Sequence, residues 1–335
     1  MVAALADPTM SRYPFQIGYP PFRVGVAEWM AGRFDLRLDS MTEILPLLGS
    51  KEGIAHLPLA VLDPGDVVVF PDPGYQAYRG GAVLAGAEPV AMALRPENDF
   101  LLRPWTLPES VQKRIRMVIL NYPHNPTTAV APRDYLKEVV DFCLERRAIL
   151  VHDHAYSEIA FDDYRPPSIL EIPGARQVAI EFHSCSKTYN MTGWRLGWAA
   201  GNAELVGALS RLKTFIDTGV FKAVQAGGLG ALESYRDWFP GNLEVFRRRR
   251  DAAVAGLREA GFDASAPRAS MYLWVPLPDG ITGPDFTRRA LEESGVVVMP
   301  GTALGGGGEG FFRVALTVPE VRLAEAAERL GQIAW

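Results

Sequence analysis

Ser184-Cys185-Ser186-Lys187-Thr188-Tyr189-Asn190-Met191-Thr192-Gly193-Trp194-Arg195-Leu196-Gly197-Trp198 places one lysine among small hydroxyl residues, directly after the apolar run 178–182. A second fixed cation, Arg195, follows eight positions later. A lysine serves as a nucleophile only where partial desolvation lets its amine be neutral. The run before it, Val178-Ala179-Ile180-Glu181-Phe182, has the content of a strand. Lys187 is therefore expected just beyond a strand end.

The same pattern recurs on both sides of this stretch. Strands are expected at 67–70, 89–93, 117–121, 148–152, 178–182 and 196–200, with amphipathic helical stretches between them. In 135–146, for example, Leu136, Val139, Val140, Cys143 and Leu144 share one helix face. Gly49-Ser50-Lys51-Glu52-Gly53 opens another helix, carried by Ile54, Leu57, Val61 and Leu62, and Asp63-Pro64-Gly65-Asp66 stops it. Such alternation predicts an α/β fold with a mainly parallel sheet covered by helices. The character changes near residue 240. A basic helix at 242–260 leads to strands at 271–274, 296–299 and 311–316, with helices at 284–294 and 320–333. The chain is accordingly read as a large domain, 1–240, and a smaller C-terminal α+β domain, 241–335.

Composition excludes several classes. Hydrophobic residues make up 48% and charged ones 22%, the balance of a globular rather than a disordered chain. A net charge of −5 gives no general attraction to nucleic acid or acidic membranes. The one dense basic run, Arg247-Arg248-Arg249-Arg250, reads as a solvated helix face. No apolar stretch approaches the roughly 20 residues of a membrane span, and 1–6 is too short for a secretory signal. Two cysteines, Cys143 and Cys185, are too few for a disulfide framework. A cytoplasmic protein is expected.

One chemistry uses a desolvated lysine together with other residue types present here. A lysine that forms a Schiff base to pyridoxal phosphate needs cations and hydroxyls for the phosphate, an acid for the ring nitrogen and an arginine for the substrate carboxylate. Asp153 ends the apolar run 148–151, at the edge where open α/β sheets bind ligands. Facing a pyridine nitrogen it would keep that nitrogen protonated, and Tyr156, three positions on, could bond the ring oxygen. His152 and His154 flank it and raise the question of a metal, but no third ligand stands at a plausible spacing, so no metal is expected. Asn125, in Asn121-Tyr122-Pro123-His124-Asn125-Pro126-Thr127-Thr128, suits either a rigid turn or the cofactor's ring oxygen. Ser50 and Lys51 open a helix whose amides favour a phosphate. No G-x-x-x-x-G-K-[ST] or strand-linked G-x-G-x-x-G is present to mark a nucleotide site. Tyr75 could stack on an aromatic ring or simply pack. Arg313, inside the apolar strand 311–316, implies a carboxylate partner from the protein or from a ligand.

Together these residues resemble the class I/II aminotransferases, the fold-type I pyridoxal-phosphate enzymes, from about Tyr13 to the C-terminus. Gly49-Ser50-Lys51-Glu52-Gly53, Pro71-Asp72-Pro73-Gly74-Tyr75 and Leu316-Thr317-Val318-Pro319-Glu320 point to the LL-diaminopimelate and aspartate aminotransferase-like branch. The resemblance implies that Lys187 carries the cofactor and later moves the substrate proton. Asp153 would pair with the ring nitrogen, and Asn125 and Tyr156 with the ring oxygen, while Tyr75 stacks on the ring. Ser50, Lys51, Ser184, Ser186 and Arg195 would hold the phosphate, and Arg313 the substrate α-carboxylate, beside Asn125. Tyr13 would reach the phosphate of a partner subunit, which implies a homodimer with shared sites. Amino acids such as glutamate, aspartate or diaminopimelate, and 2-oxo acids, are the implied substrates. Two departures stand out. The family's Asn-Pro-Thr-Gly turn ends here in Thr128, which must be strained or rearranged if the position needs a positive φ. The chain also begins some tens of residues into the family pattern, and 1–8 reads as the end of a helix. Two rivals stand beside this reading: a carbon–sulfur β-lyase of the same cofactor chemistry, and, favoured by the short arm, a protein that binds the cofactor without turnover.

Overall fold

Runs such as Val67-Val68-Val69-Phe70 and Met117-Val118-Ile119-Leu120 are apolar at every position, the pattern of strands covered on both faces. In the computed structural model, which describes residues 1–335, they lie in a seven-stranded sheet. Its strands are β1 (Ile44–Leu47), β2 (Val67–Asp72), β3 (Glu88–Ala93), β4 (Ile115–Asn121), β5 (Ile149–Asp153), β6 (Ala179–Ser184) and β7 (Gly197–Gly201), in the order β1-β7-β6-β5-β4-β2-β3. From β6 to β3 the pairs are parallel, and β7 alone runs against its two neighbours. β1 escapes the sequence reading because it carries Pro46. Proline is tolerated there because β1 is an edge strand, where one side of the backbone needs no ladder bond.

The second sheet is antiparallel, β8 (Tyr272–Pro276), β9 (Met299–Pro300) and β10 (Phe311–Ala315), with β10 in the middle. Of these, β9 is much shorter than the run 296–299 suggests. Helices Tyr235–Glu259, Gly283–Ser294 and Glu320–Gly331 cover this sheet, and Phe262, Phe286 and Phe312 fill the space between, with Phe286 and Phe312 ring centres 4.5 Å apart. Tyr156, Ile159 and Phe161, from the loop after β5, belong to the same cluster, so the second sheet packs directly on the segment carrying Asp153. The helix expected from 242 starts at Tyr235 and runs through Pro240-Gly241, residues that read as a breaker. Burial of Phe239 and its stacking on Tyr235, 5.1 Å between ring centres, hold that first part in place. Residues 4–6 and 8–11 form 3-10 turns where the end of a helix is expected.

Thr128 closes the turn after β4 with φ of +62°, so the strained alternative holds for the position where the family pattern has glycine. Its amide donates to the His124 carbonyl at 2.9 Å, which keeps the turn closed. Left-handed backbone costs a non-glycine residue about 1–2 kcal/mol, and glycine returns roughly 0.5–1 kcal/mol of that through its freer unfolded chain. Thr128→Gly should therefore raise stability by about 0.5–1 kcal/mol, read as a higher urea midpoint by circular dichroism. An unchanged midpoint would show that threonine contacts offset the strain.

Candidate active site

Register brings the polar strand ends together. Asn121 lies beside Asp153, Asp153 beside Phe182, and Ser184 beside Gly197, so β4, β5 and β6 end at one edge. Because β7 opposes both β6 and β1, Leu47 of β1 also pairs with Gly197 at that edge. The helix Ser50–Val61 therefore starts where the other strands finish. Gly53 seats it: a β-carbon there would lie 2.5 Å from the ring of the fully buried Phe182.

A cavity of about 330 Å³ opens at this edge. Ser50, Lys51, Tyr75, Asn125, Asp153, Tyr156, Ser184, Ser186, Lys187, Arg195 and Arg313 all line it. Tyr13 does not. It is 70% exposed, with its ring centre 6.4 Å from that of Phe15.

One end of the cavity is built for an anion. Gly49, at φ +81°, lets the Arg195 guanidinium approach the start of the helix, and a β-carbon there would stand 2.4 Å from Arg195 Nη2. Arg195 Nη1 donates to the Thr192 carbonyl at 2.7 Å, which fixes the fork. Ser184 caps the short turn carrying Lys187, its Oγ accepting from the Ser186 amide at 3.2 Å. A helix N-terminus, serine hydroxyls and an arginine thus face the same space. Lys51 Nζ lies 5.6 Å from the centre of the Tyr75 ring, which joins this end to the next.

At the other end Asp153 is buried and accepts a hydrogen bond from Tyr78 Oη at 2.8 Å. Its backbone carbonyl accepts from Asn121 Nδ2, whose own Oδ1 takes the Asn125 amide. Burial pushes the Asp153 carboxyl above the usual carboxylate range, opposed by the Tyr78 hydroxyl, the Ala155 amide and the charges of His152 and His183. Burial also raises the Tyr156 phenol, as do the neighbouring Tyr272 and Asp153. Tyr78 was within reach of the sequence, since it lies three positions after Tyr75 at a helix start. Tyr272, whose hydroxyl stands 3.2 Å from that of Tyr156, comes from the second sheet and carried no local signal.

Arg313 has no carboxylate partner within the chain. Its Nη1 donates to Asn125 Oδ1 at 2.8 Å, and its guanidinium lies over the Tyr272 ring at 4.2 Å. Its Nε is buried without a partner.

His152 and His154 do meet a third group of a metal-binding kind, Glu181 of β6, which sequence spacing did not suggest. Its carboxylate is already engaged by Ser168 Oγ, the Ile169 amide, His152 and His183, each at 2.8 Å.

Residues 2–330 match the family of class I and II aminotransferases. The chain belongs to this family and is a pyridoxal-phosphate-dependent aminotransferase. It is similar to the LL-diaminopimelate aminotransferase of Desulforudis audaxviator, 50% identical over 97% of this chain and 83% of that protein. The enzyme of the same name from Aquifex aeolicus is 46% identical over 98% of this chain and 85% of its own. Among solved structures, a probable N-succinyldiaminopimelate aminotransferase from Thermus thermophilus superposes with a TM-score of 0.93 at 36% identity, over 99% of this chain and 89% of that one. Neither the lyase nor the non-catalytic reading finds support in these relatives.

The cavity fits the cofactor on its own geometry. The Gly49 cradle and Arg195 suit a phosphate, the buried Asp153 suits a protonated ring nitrogen, and Tyr75 stands where a ring would stack. Gly49→Ala should loosen the cofactor at least tenfold, about 1.4 kcal/mol, because the added carbon displaces Arg195. Dialysis followed by measurement of retained pyridoxal phosphate checks this; full retention would show that the cradle is not used.

Proposed function

We propose that the chain moves the amino group of a dicarboxylic L-amino acid, of the glutamate or diaminopimelate kind, to a 2-oxo acid, with Lys187 as the base. The observation that carries this reading is the incompletely satisfied Arg313, held by Asn125 in the same cavity as Lys187 and Asp153. Identities of 44–50% to LL-diaminopimelate aminotransferases support the substrate class. When bound, pyridoxal phosphate supplies an aldehyde carbon and an electron-withdrawing protonated ring. Arg313 binds the α-carboxylate through a charge-assisted pair and so orients the Cα–H bond. Lys187 Nζ, which forms no ion pair, takes the proton from Cα and returns it on the other side of the transfer. Asp153, as a carboxylate, holds the proton on the ring nitrogen, while Tyr156 and Asn125 bond the ring oxygen. Ser50, Lys51, Ser184, Ser186 and Arg195 hold the phosphate.

Exposed aromatic residues extend the proposal to assembly. Phe215 is 87% exposed, and Phe15, Phe221 and Trp194 are also exposed. A homodimer that covers these residues and lets Tyr13 reach the partner's phosphate accounts for their exposure. The division at 240 into a cofactor domain and a smaller domain carrying Arg313, and a cytoplasmic location, belong to the same proposal.

The test is the visible spectrum of the loaded protein with glutamate or LL-diaminopimelate, then with 2-oxoglutarate. The band should bleach and return. Lys187→Ala should abolish turnover, and full activity in that variant would sink the reading. Arg313→Gln should raise the donor KM about 10–100-fold, the value of a charge-assisted bond. The pH profile has a definite sign. Asp153 must be anionic and its carboxyl is raised, so kcat/KM should fall as pH drops through a value above that of an ordinary aspartate. Asp153→Asn should remove that acid limb together with most of the activity.

A further inference from the structure

Side chains alternate across a strand. Asp153 faces the cavity, and its neighbours His152 and His154 face the opposite side of the sheet. There they meet Glu181 and His183 of β6, all within the core and at most 2% exposed. Hydrogen-bond donors and acceptors can be assigned one at a time. His152 Nε2 lies 3.0 Å from the Tyr122 carbonyl oxygen, which only accepts, so Nε2 carries a hydrogen. His152 Nδ1 lies 2.8 Å from Glu181 Oε2, which also accepts from the Ile169 amide. Glu181 Oε1 accepts from Ser168 Oγ and faces His183 Nε2, each at 2.8 Å. Two fixed donors besides His152, the Ser168 hydroxyl and the Ile169 amide, favour the charged carboxylate. Burial opposes that charge, yet the hydrogen bonds from His152 and His183 bring the Glu181 carboxyl below the usual range. His152 then donates from both nitrogens, as an imidazolium. His154 stacks on it, with ring centres 4.5 Å apart and planes at 27°, and burial pushes its own titration down to about 3, so it stays neutral.

We propose that His152 and Glu181 form a buried ion pair that positions Asp153, tying together the ends of β4, β5 and β6 and setting a fixed positive charge beneath the aspartate. The pair reaches the three strands whose ends meet at the site, β4, β5 and β6. Tyr122 directly follows β4, Ser168 and Ile169 come from the loop before β6, and His152 precedes Asp153 itself. On its cavity side Asp153 faces Tyr78, Tyr75 and Tyr156, none of which brings a positive charge. The Tyr78 hydroxyl and the Ala155 amide offset its burial through hydrogen bonds, and the histidines behind the sheet, His152 and His183, add to that offset through charge. The inference rests on the reading of Asp153 as the partner of the cofactor's ring nitrogen.

The test begins with the native protein loaded with cofactor. Nitrogen NMR of ¹⁵N-histidine protein, with His152 assigned through His152→Asn, should show both ring nitrogens of His152 protonated at pH 7. A neutral His152 at that pH overturns the proposal. So does a stoichiometric metal ion, found by elemental analysis, that leaves with a chelator and releases these side chains. Glu181→Gln should move the acid limb of kcat/KM upward by roughly half to one pH unit. It should lower kcat about tenfold and leave the donor KM within twofold. A variant that merely melts earlier, with the acid limb unmoved, overturns it as well. Ser168→Ala, a milder change to the same carboxylate, should move the limb in the same direction by less, and serves if Glu181→Gln does not fold. The two failures are separable: an active Lys187→Ala sinks the aminotransferase roles, whereas an inactive Lys187→Ala beside an unshifted Glu181→Gln sinks only the ion pair's role.

Discussion

The common edge of the parallel strands is the constraint on which the rest of this structure depends. A parallel neighbour can be reached only through a crossover, so each strand delivers its carboxyl end, and the loop after it, to the same side. Asn121, Asp153 and Ser184 are neighbours for that reason. The single reversed strand, β7, restores the direction for β1, which lays the helix start at Ser50 against the same edge. Without that reversal the anion-binding end would sit on the far side of the sheet from Asp153.

Polar partnering then separates structure from function. Lys213 is completely buried, and two carboxylates meet it, Glu52 at 2.6 Å and Asp217 at 2.9 Å. Arg250 is likewise paired with Asp162 and Asp251. Arg313 and Lys187, in the cavity, have no carboxylate of the chain to answer them. Cations withdrawn from water are costly unless paired, and under the proposed function the charges of a ligand would complete the two in the cavity, whereas Arg23, 3% exposed, donates instead to the Ile17 carbonyl.

The sheet also separates two polar environments that adjoin in sequence. Three successive residues divide between a buried polar cluster behind the sheet, which takes His152 and His154, and the cavity, which takes Asp153. A histidine pair that reads as half a metal site becomes, with Glu181 and His183, a buried network behind the catalytic edge.

Lys187, Asp153 and Asn125 were legible because each follows an apolar run whose length and composition mark a strand, and the end of a strand in an α/β sheet is a place with known consequences. Ser50 and Arg195 were legible from the order of residues around a helix start and a serine-rich turn. β1 and the first part of the helix Tyr235–Glu259 were not, since Pro46 and Pro240 act locally as breakers and only edge placement and burial of Phe239 override them. Tyr272, Glu181 and the open state of Arg313 lay beyond any local pattern. Periodicity and turn chemistry act over a few residues, so the chain by itself determined the succession of elements and the chemical types at their ends. Which groups meet across 29 residues, as His152 and Glu181 do, or across 188, as Asn125 and Arg313 do, was decided only by strand order and the packing of the second sheet on the first.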